Sequence, residues 1–376
     1  MKFTVSKTLA DSLARTGELE TPHGTIQTPV FMPVGTYGAV RGLMPWELEQ
    51  LGSEIILGNT YHLHLRPGED LIAKHGGLQK WSAWNKPILT DSGGYQAYSL
   101  GSTRLKTAKT TVDGVTFQSH LDGKKLTFTP EGVLDIQSKL GSDIAMVLDD
   151  CPPIEATIMR SRDAINRTAR WAERSINYWH EQKMGEQGRA LFGIIQGGLS
   201  KEHRLESLNS IQSRPFDGIA VGGVAIESEG KDLMNKAVDF VAPLLDKARP
   251  HYLMGVGEPV DLIRMVDKGM DMFDCVIPTR YARHGSFWLT KDFSRKSIDA
   301  AQYTDDDQPL DPDCACQTCR TFSRSYLRHL YLANEINSAR ALSYHNVHIL
   351  LELMRQIRLA INDGSFKQKY AQYLKI

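Results

Sequence analysis

The sequence predicts an α/β protein folded as a (β/α)8 TIM barrel. Three observations carry that expectation. Short apolar runs recur eight times along the 376 residues, most of them ending in Gly or a polar residue. None alternates apolar with polar, which is how strands covered on both faces read, as parallel strands do. Helical patterns lie between most of the runs. Eight such βα units close into a barrel more readily than they extend an open sheet.

In chain order the runs are 30–34 (VFMPV), 55–57 (IIL), 88–90 (ILT), 144–148 (IAMVL), 191–195 (LFGII), 219–221 (IAV), 252–254 (YLM) and 272–276 (MFDCV). Helical periodicity covers 45–51, 130–140, 158–182, 201–210, 231–247 and 259–268. Pro45, Pro130 and Pro259 stand near helix starts, where a missing N–H leaves no bond unmade. A barrel takes about 250 residues, so the surplus is expected as insertions. One is 101–129, where TVDGVTFQSHLDGKKLTFT reads as short strands around an Asp122-Gly123 turn. The other follows strand eight.

Composition removes whole classes. With 41% hydrophobic and 23% charged residues the chain has the makings of a sizeable core, so global disorder is out. No apolar run approaches the roughly 18 residues that cross a bilayer, so no membrane partner is expected. The N-terminal MKFTVSKTLADSLART has no signal-like apolar stretch, and a cytoplasmic protein is expected. The 44 basic and 44 acidic side chains cancel, which speaks against a nucleic-acid partner until the chain is divided. Residues 314–376 hold nine Lys/Arg against three acids, leaving the rest net acidic. Such asymmetry suggests a polyanion-facing end.

Barrel enzymes of this type work at the C-terminal ends of their strands. Past strand three come Asp91, Ser92, Gly93, Gly94 and Tyr95. Past strand four come Asp149, Asp150 and Cys151. Gln196 follows strand five, Gly222, Gly223 and Val224 follow strand six, and Met254 precedes the glycines after strand seven. Asp274 lies inside the apolar run MFDCV, where a carboxylate is costly without a partner. Four carboxylates and one amide are thus expected on one rim, with glycines that let a flat ligand approach the backbone. Two carboxylates facing a sugar suit substitution at an anomeric carbon, one as nucleophile and one as proton shuttle.

The five cysteines divide by position. Cys151 and Cys275 fall at strand ends, while Cys314, Cys316 and Cys319 form C-x-C-x-x-C. That cluster argues against disulfides and for a tetrahedral metal site needing one further N or S ligand. His329 lies in CRTFSRSYLRHLYLANEI, which reads as one continuous helix leading away, so His345 or His348 is the expected fourth ligand. The expected domains are a barrel over 1–284, a zinc-binding subdomain over 285–345, and C-terminal helices over 346–376 that complete the barrel.

With these segments assembled, the chain resembles the tRNA-guanine transglycosylases, the queuine tRNA-ribosyltransferase family, in its bacterial form. The resemblance rests on TPVFMPVGTYGAVRGL (28–43), ILGNTYHLHLRPG (56–68), LTDSGGYQAYSL (89–100), FGIIQGG (192–198), YLMGVGEP (252–259), MFDCVIPTRYARHG (272–285) and LDPDCACQTCR (310–320). It implies a barrel with a structural zinc, one per chain. It also implies exchange of guanine at the wobble position of GUN-anticodon tRNAs for a 7-deazaguanine. By resemblance Asp274 is the nucleophile and Asp91 the general acid/base. Asp149, Gln196 and the Gly223 backbone read the base edge, Cys151 lines its pocket, and Tyr95 and Met254 sandwich its plane. Arg280 and Arg283 contact the anticodon loop at U33-G34-U35. Cys314, Cys316, Cys319 and His345 hold the zinc, and the chain forms a homodimer.

Some positions depart from the family's pattern: Val224, Asp150, Glu258, and the stretch 226–229 that shapes the pocket around the 7-substituent. Cys151 is the bacterial choice and favours preQ1 as the incoming base, with queuine as the alternative. Two other functions compete. A non-catalytic RNA-binding partner subunit on the same barrel is expected to lose its active-site carboxylates, yet Asp91 and Asp274 are both present. A metal-dependent barrel hydrolase needs His or Asp ligands at several strand ends, and only His62 and His64 offer an H-x-H.

Overall fold

In the computed structural model, which describes residues 1–99, 108–154, 156–224 and 231–374, eight parallel strands close into a barrel. They are β1 (Val30–Gly35), β2 (Ile56–Gly58), β3 (Ile88–Thr90), β4 (Ile144–Met146), β5 (Ala190–Ile195), β6 (Gly218–Val221), β7 (His251–Leu253) and β8 (Met272–Cys275). Each pairs with the next in chain order, and β8 returns to β1 with Asp274 opposite Met32. Strands β2 to β7 are buried at every residue. That is why their sequences do not alternate: the barrel interior takes one face and the helices take the other.

The helices begin where their caps sit. Thr129 accepts from the Gly132 amide and starts Pro130–Leu140, which ends at Gly141 with φ +82°. Thr157 and Ser200 cap Ile158–Glu181 and Lys201–Gln212 in the same way. Each cap satisfies an N–H that the first helical turn leaves open. The helix expected over 231–247 stops at Val241, because Pro243 cannot donate to a continuing helical turn.

Two departures from expectation stand out. Residues 2–28 form a three-stranded antiparallel sheet that the sequence did not announce. It closes the bottom of the barrel: buried Arg15 makes a forked pair with buried Asp271 and reaches the Arg249 carbonyl oxygen at 2.6 Å. The run from Cys319 to Ile336 is not one helix. It divides into Gln317–Thr321 and Arg324–Leu332, because Ser323 turns its hydroxyl to the Tyr326 amide and starts the second helix.

The insertion expected before the fourth barrel unit is a small sheet of Lys109–Thr110, Val115–Gln118 and Lys125–Phe128, turning through Asp122-Gly123. Its first part, 101–107, lies outside the described residues. After β8 the chain forms a two-stranded ribbon and then the helix Ile336–Asp363, which packs against β1 and the helix Ile277–Arg283. The basic tail is largely spent inside the molecule. Arg324, Arg340, Arg355, Arg358 and Lys367 pair with Asp306, Glu47, Glu352, Glu54 and Asp267. No helix among the described residues is long and apolar enough to cross a membrane.

Candidate active site

Asp91 and Asp274 arrive at the barrel mouth from strands that do not touch. Asp91 follows β3, and its carboxylate is held by the Thr60 amide at 2.8 Å and the Asn59 side-chain amide at 2.5 Å. Asn59 also caps the helix Thr60–Leu65 through the His62 amide, so that helix aims both donors. Burial, with help from the nearby charges of Asp274 and Asp149, pushes the Asp91 carboxyl up to about 7. Asp274, at the end of β8, accepts from the Tyr252 hydroxyl at 2.6 Å and the Gly255 amide at 2.8 Å. Burial raises its pKa too, but both hydrogen bonds act the other way and favour the carboxylate. Asp91 is thus placed to exchange a proton near neutrality, while the second carboxylate is raised by burial and held by two donors that favour its charged form.

Next to this pair lies a pocket with a reading edge. Asp149, buried past β4, accepts from the Gln196 side-chain amide at 2.7 Å and from Ser92. Burial lifts its pKa to about 6. Cys151 lies beside it, its thiol pushed up to about 12 by burial and by the Asp149 charge, so it is a neutral wall and not a nucleophile. Gly222 and Gly223 press on Gln196. A Cβ at Gly222 would meet its Nε2 at 2.7 Å, and one at Gly223, where φ is +66°, would meet its Oε1 at 2.5 Å. Only glycine gives this approach. Gln196 and Asp149 together offer donors and acceptors of the kind that match a purine edge.

Of the four carboxylates expected on this rim, three gather. Asp150 is drawn aside into a buried ion pair with Arg160 and Arg167 on the helix behind β4. Tyr95 opens the helix Gly94–Ser99 and is 57% exposed, while Met254 is partly buried after β7. Arg280 and Arg283 are exposed on the helix Ile277–Arg283 directly after β8. Burial lowers the Arg283 pKa, and the neighbouring charges of Arg41 and Arg280 lower it further, which places three cations together. Glu258 is engaged by the Tyr281 hydroxyl at 2.8 Å. The segment 226–229 lies outside the described residues; Val224 before it is fully buried.

The sequence offered no sign of Tyr252, whose hydroxyl sits in an otherwise apolar strand run. Asn59 was legible only as a polar residue past β2, a strand end that carried no assigned role.

The metal cluster is separate. Ligand atoms of Cys314, Cys316, Cys319 and His345 lie within 4.8 Å of one another, all four residues buried. The His345 Nδ1 stands 3.3 Å from the Cys319 sulfur, and its Nε2 lies 2.8 Å from the Trp288 carbonyl oxygen. That carbonyl takes the Nε2 proton and leaves Nδ1 free to bind a metal. Three cysteine sulfurs and one imidazole, with no place left for a water, are the donor chemistry of a structural zinc site. His348, one turn further on, touches Cys314 but is not part of the four.

A proton-exchanging acid beside a hydrogen-bonded carboxylate is what substitution at a sugar carbon requires. Fold and site therefore define a barrel enzyme of glycosyl-transfer chemistry. The family model described as queuine tRNA-ribosyltransferase matches residues 11–376. A queuine tRNA-ribosyltransferase of Oleidesulfovibrio alaskensis is 48% identical over 372 residues, 99% of this chain and 96% of that protein. One from Dictyoglomus turgidum is 48% identical over 361 residues, covering 96% and 91%. Another, from a Janthinobacterium strain, is 47% identical over 378 residues, covering 99% and 98%. The chain belongs to the queuine tRNA-ribosyltransferase family and is a transferase.

Proposed function

We propose that the chain exchanges guanine at the wobble position of GUN-anticodon tRNAs for a 7-deazaguanine, preferring preQ1, as a step of queuosine biosynthesis. The observation that carries this reading is the unequal pair Asp91 and Asp274 beside the Asp149–Gln196 edge. The Asp274 carboxylate attacks ribose C1′ as the bond from C1′ to N9 of guanine breaks. Asp91 gives its proton to the departing base. An ester between Asp274 and C1′ then holds the tRNA while guanine leaves the pocket. The incoming base takes the same place and loses its N9 proton to Asp91. That nitrogen attacks C1′, the ester breaks, and Asp274 is free again. Two inversions give net retention.

Asp149 accepts from the N–H groups of the base edge, while Gln196 and the Gly223 amide donate to its carbonyl oxygen. Cys151 lines the pocket, and Tyr95 and Met254 flank the base plane. The wobble nucleotide must leave the loop stack to reach this depth. Arg280 and Arg283 hold the anticodon-loop phosphates around U33-G34-U35. Cys314, Cys316, Cys319 and His345 would hold one zinc ion, which would cross-link the segment after β8 to the long helix Ile336–Asp363.

The domains divide as barrel 1–284, zinc-binding subdomain 285–345 and closing helices 346–376. A homodimer is supported by apolar side chains left exposed on that subdomain, Tyr326, Leu332 and Ile336. The test is to incubate tRNA and enzyme with labelled guanine, preQ1 and queuine in parallel, and to look for a denaturation-resistant RNA–protein adduct. Incorporation of preQ1 is expected, with an adduct that Asp274→Asn abolishes. Exchange of no base, or an adduct that persists in Asp274→Asn, refutes the reading.

A further inference from the structure

Arg204 is a charged side chain that nothing above uses. It lies on the helix Lys201–Gln212 behind β5 and is wholly buried, at 0% exposure. Among the described residues no carboxylate pairs with it. Its guanidinium donates instead to four main-chain oxygens: Gly198 at 2.9 Å, Gly222 at 2.8 Å, and Ile195 and Gly223 at 3.4 Å each. Ile195 ends β5 just before Gln196 and Gly198 lies in the loop after it, while Gly222 and Gly223 lie in the loop after β6. A buried charge satisfied only by carbonyl dipoles is an expensive arrangement, and burial lowers its pKa to about 10. A neutral side chain of the same length would fill the space at less cost.

The geometry of one peptide unit supplies a reason. The Gly222 carbonyl that takes the shortest of these bonds belongs to the same planar trans peptide as the Gly223 N–H, which points the opposite way. A cation on the oxygen side polarises the unit and strengthens the N–H as a donor, as in any hydrogen-bonded chain at low dielectric.

We infer that Arg204 is a positioning residue of the base pocket. It fixes the β5 and β6 loops against each other and charges the Gly223 amide as a donor to the carbonyl oxygen of the bound purine. This rests on the base-reading role proposed for Gly223. The same polarised donor acts most strongly when the departing base carries extra negative charge on that oxygen, so it favours the breaking of the glycosidic bond.

The experiment compares guanine with 6-thioguanine, which keeps the N–H groups and replaces the carbonyl oxygen with a weaker acceptor. Inhibition constants against labelled-guanine exchange into tRNA give a discrimination ratio for wild type, Arg204→Met and Arg204→Lys. Wild type should prefer guanine. Arg204→Met should shrink the preference about tenfold, the scale of one strengthened donor. Arg204→Lys, which keeps a charge but cannot span both loops, should shrink it about threefold.

Equal weakening of both bases in Arg204→Met makes the residue a scaffold only and overturns the inference. So does an unchanged ratio in Arg204→Lys, which decides the matter if Arg204→Met does not fold. Wild type binding neither base would instead sink the proposed function.

Discussion

Replacing Asp91 with Asn should make the protein more stable at alkaline pH while destroying its activity. Burial raises the Asp91 pKa from 3.8 to about 7 in the folded state. A group shifted this way contributes stability in full below its unfolded pKa and loses it as pH rises through the folded one. Wild type should therefore weaken from about pH 4 to pH 7 and then level off. The shift of about three units corresponds to ~4 kcal/mol at most, of which about 2.5 kcal/mol falls between pH 5 and pH 8. The part of Asp91 open to the barrel mouth makes these upper bounds.

Asn removes the ionisation but accepts only one of the two bonds from Thr60 and Asn59, losing about 1–3 kcal/mol at every pH. The difference between variant and wild type should thus be flat in that penalty and should climb in the variant's favour from pH 5 to pH 8. Urea unfolding midpoints of both proteins at several pH values measure it. A gap that stays constant over that range would mean that Asp91 does not titrate there and cannot be the proton shuttle.

Tyr252→Phe removes one of the two donors that favour the Asp274 carboxylate. A bond to a charged acceptor is worth about 1.5–3 kcal/mol, so the Asp274 pKa should rise by about 1–2 units. The acidic limb of the kcat/KM profile should move up by the same amount; an unmoved limb means the hydroxyl does not act on Asp274 or that Asp274 does not set that limb. Cys319→Ser opens the closed ligand set, so bound zinc measured by native mass spectrometry should fall from one per chain to none. The midpoint of thermal unfolding should drop by about 5–10 °C. Retained zinc with an unchanged midpoint would refute the assignment.

The barrel was readable because its evidence is local. Eight buried runs spaced by helical patterns leave few topologies, and Pro45, Pro130 and Pro259 mark helix starts in plain sight. Asp274 was conspicuous for a related reason, a charge inside an apolar strand. The N-terminal sheet escaped because its first strand is mostly exposed and its purpose is distant: Arg15 meets Asp271 across 256 residues. Only the resemblance separated Asp149 from Asp150; strand-end position could not, since neighbours there face different ways and the pairing of Asp150 with Arg160 and Arg167 comes from the helix behind β4. The raised pKa of Asp91 was equally out of reach, because it depends on burial and on donors from the loop after β2.

The charge distribution follows the same division between what a sequence counts and what a fold exposes. The basic tail invites assignment to the RNA phosphates, yet five of its cations pair with acids of the same chain. Among the described residues Arg41, Arg280 and Arg283 are exposed close to one another, and they come from two regions that no composition window joins. Arg280 and Arg283 sit on the helix Ile277–Arg283, which directly follows the strand that carries Asp274. An anion held there is placed relative to Asp274 by the rigid strand and not by a flexible tail. In the proposed exchange, phosphate contacts there would take part in aligning ribose C1′ with Asp274, which is where binding energy serves catalysis.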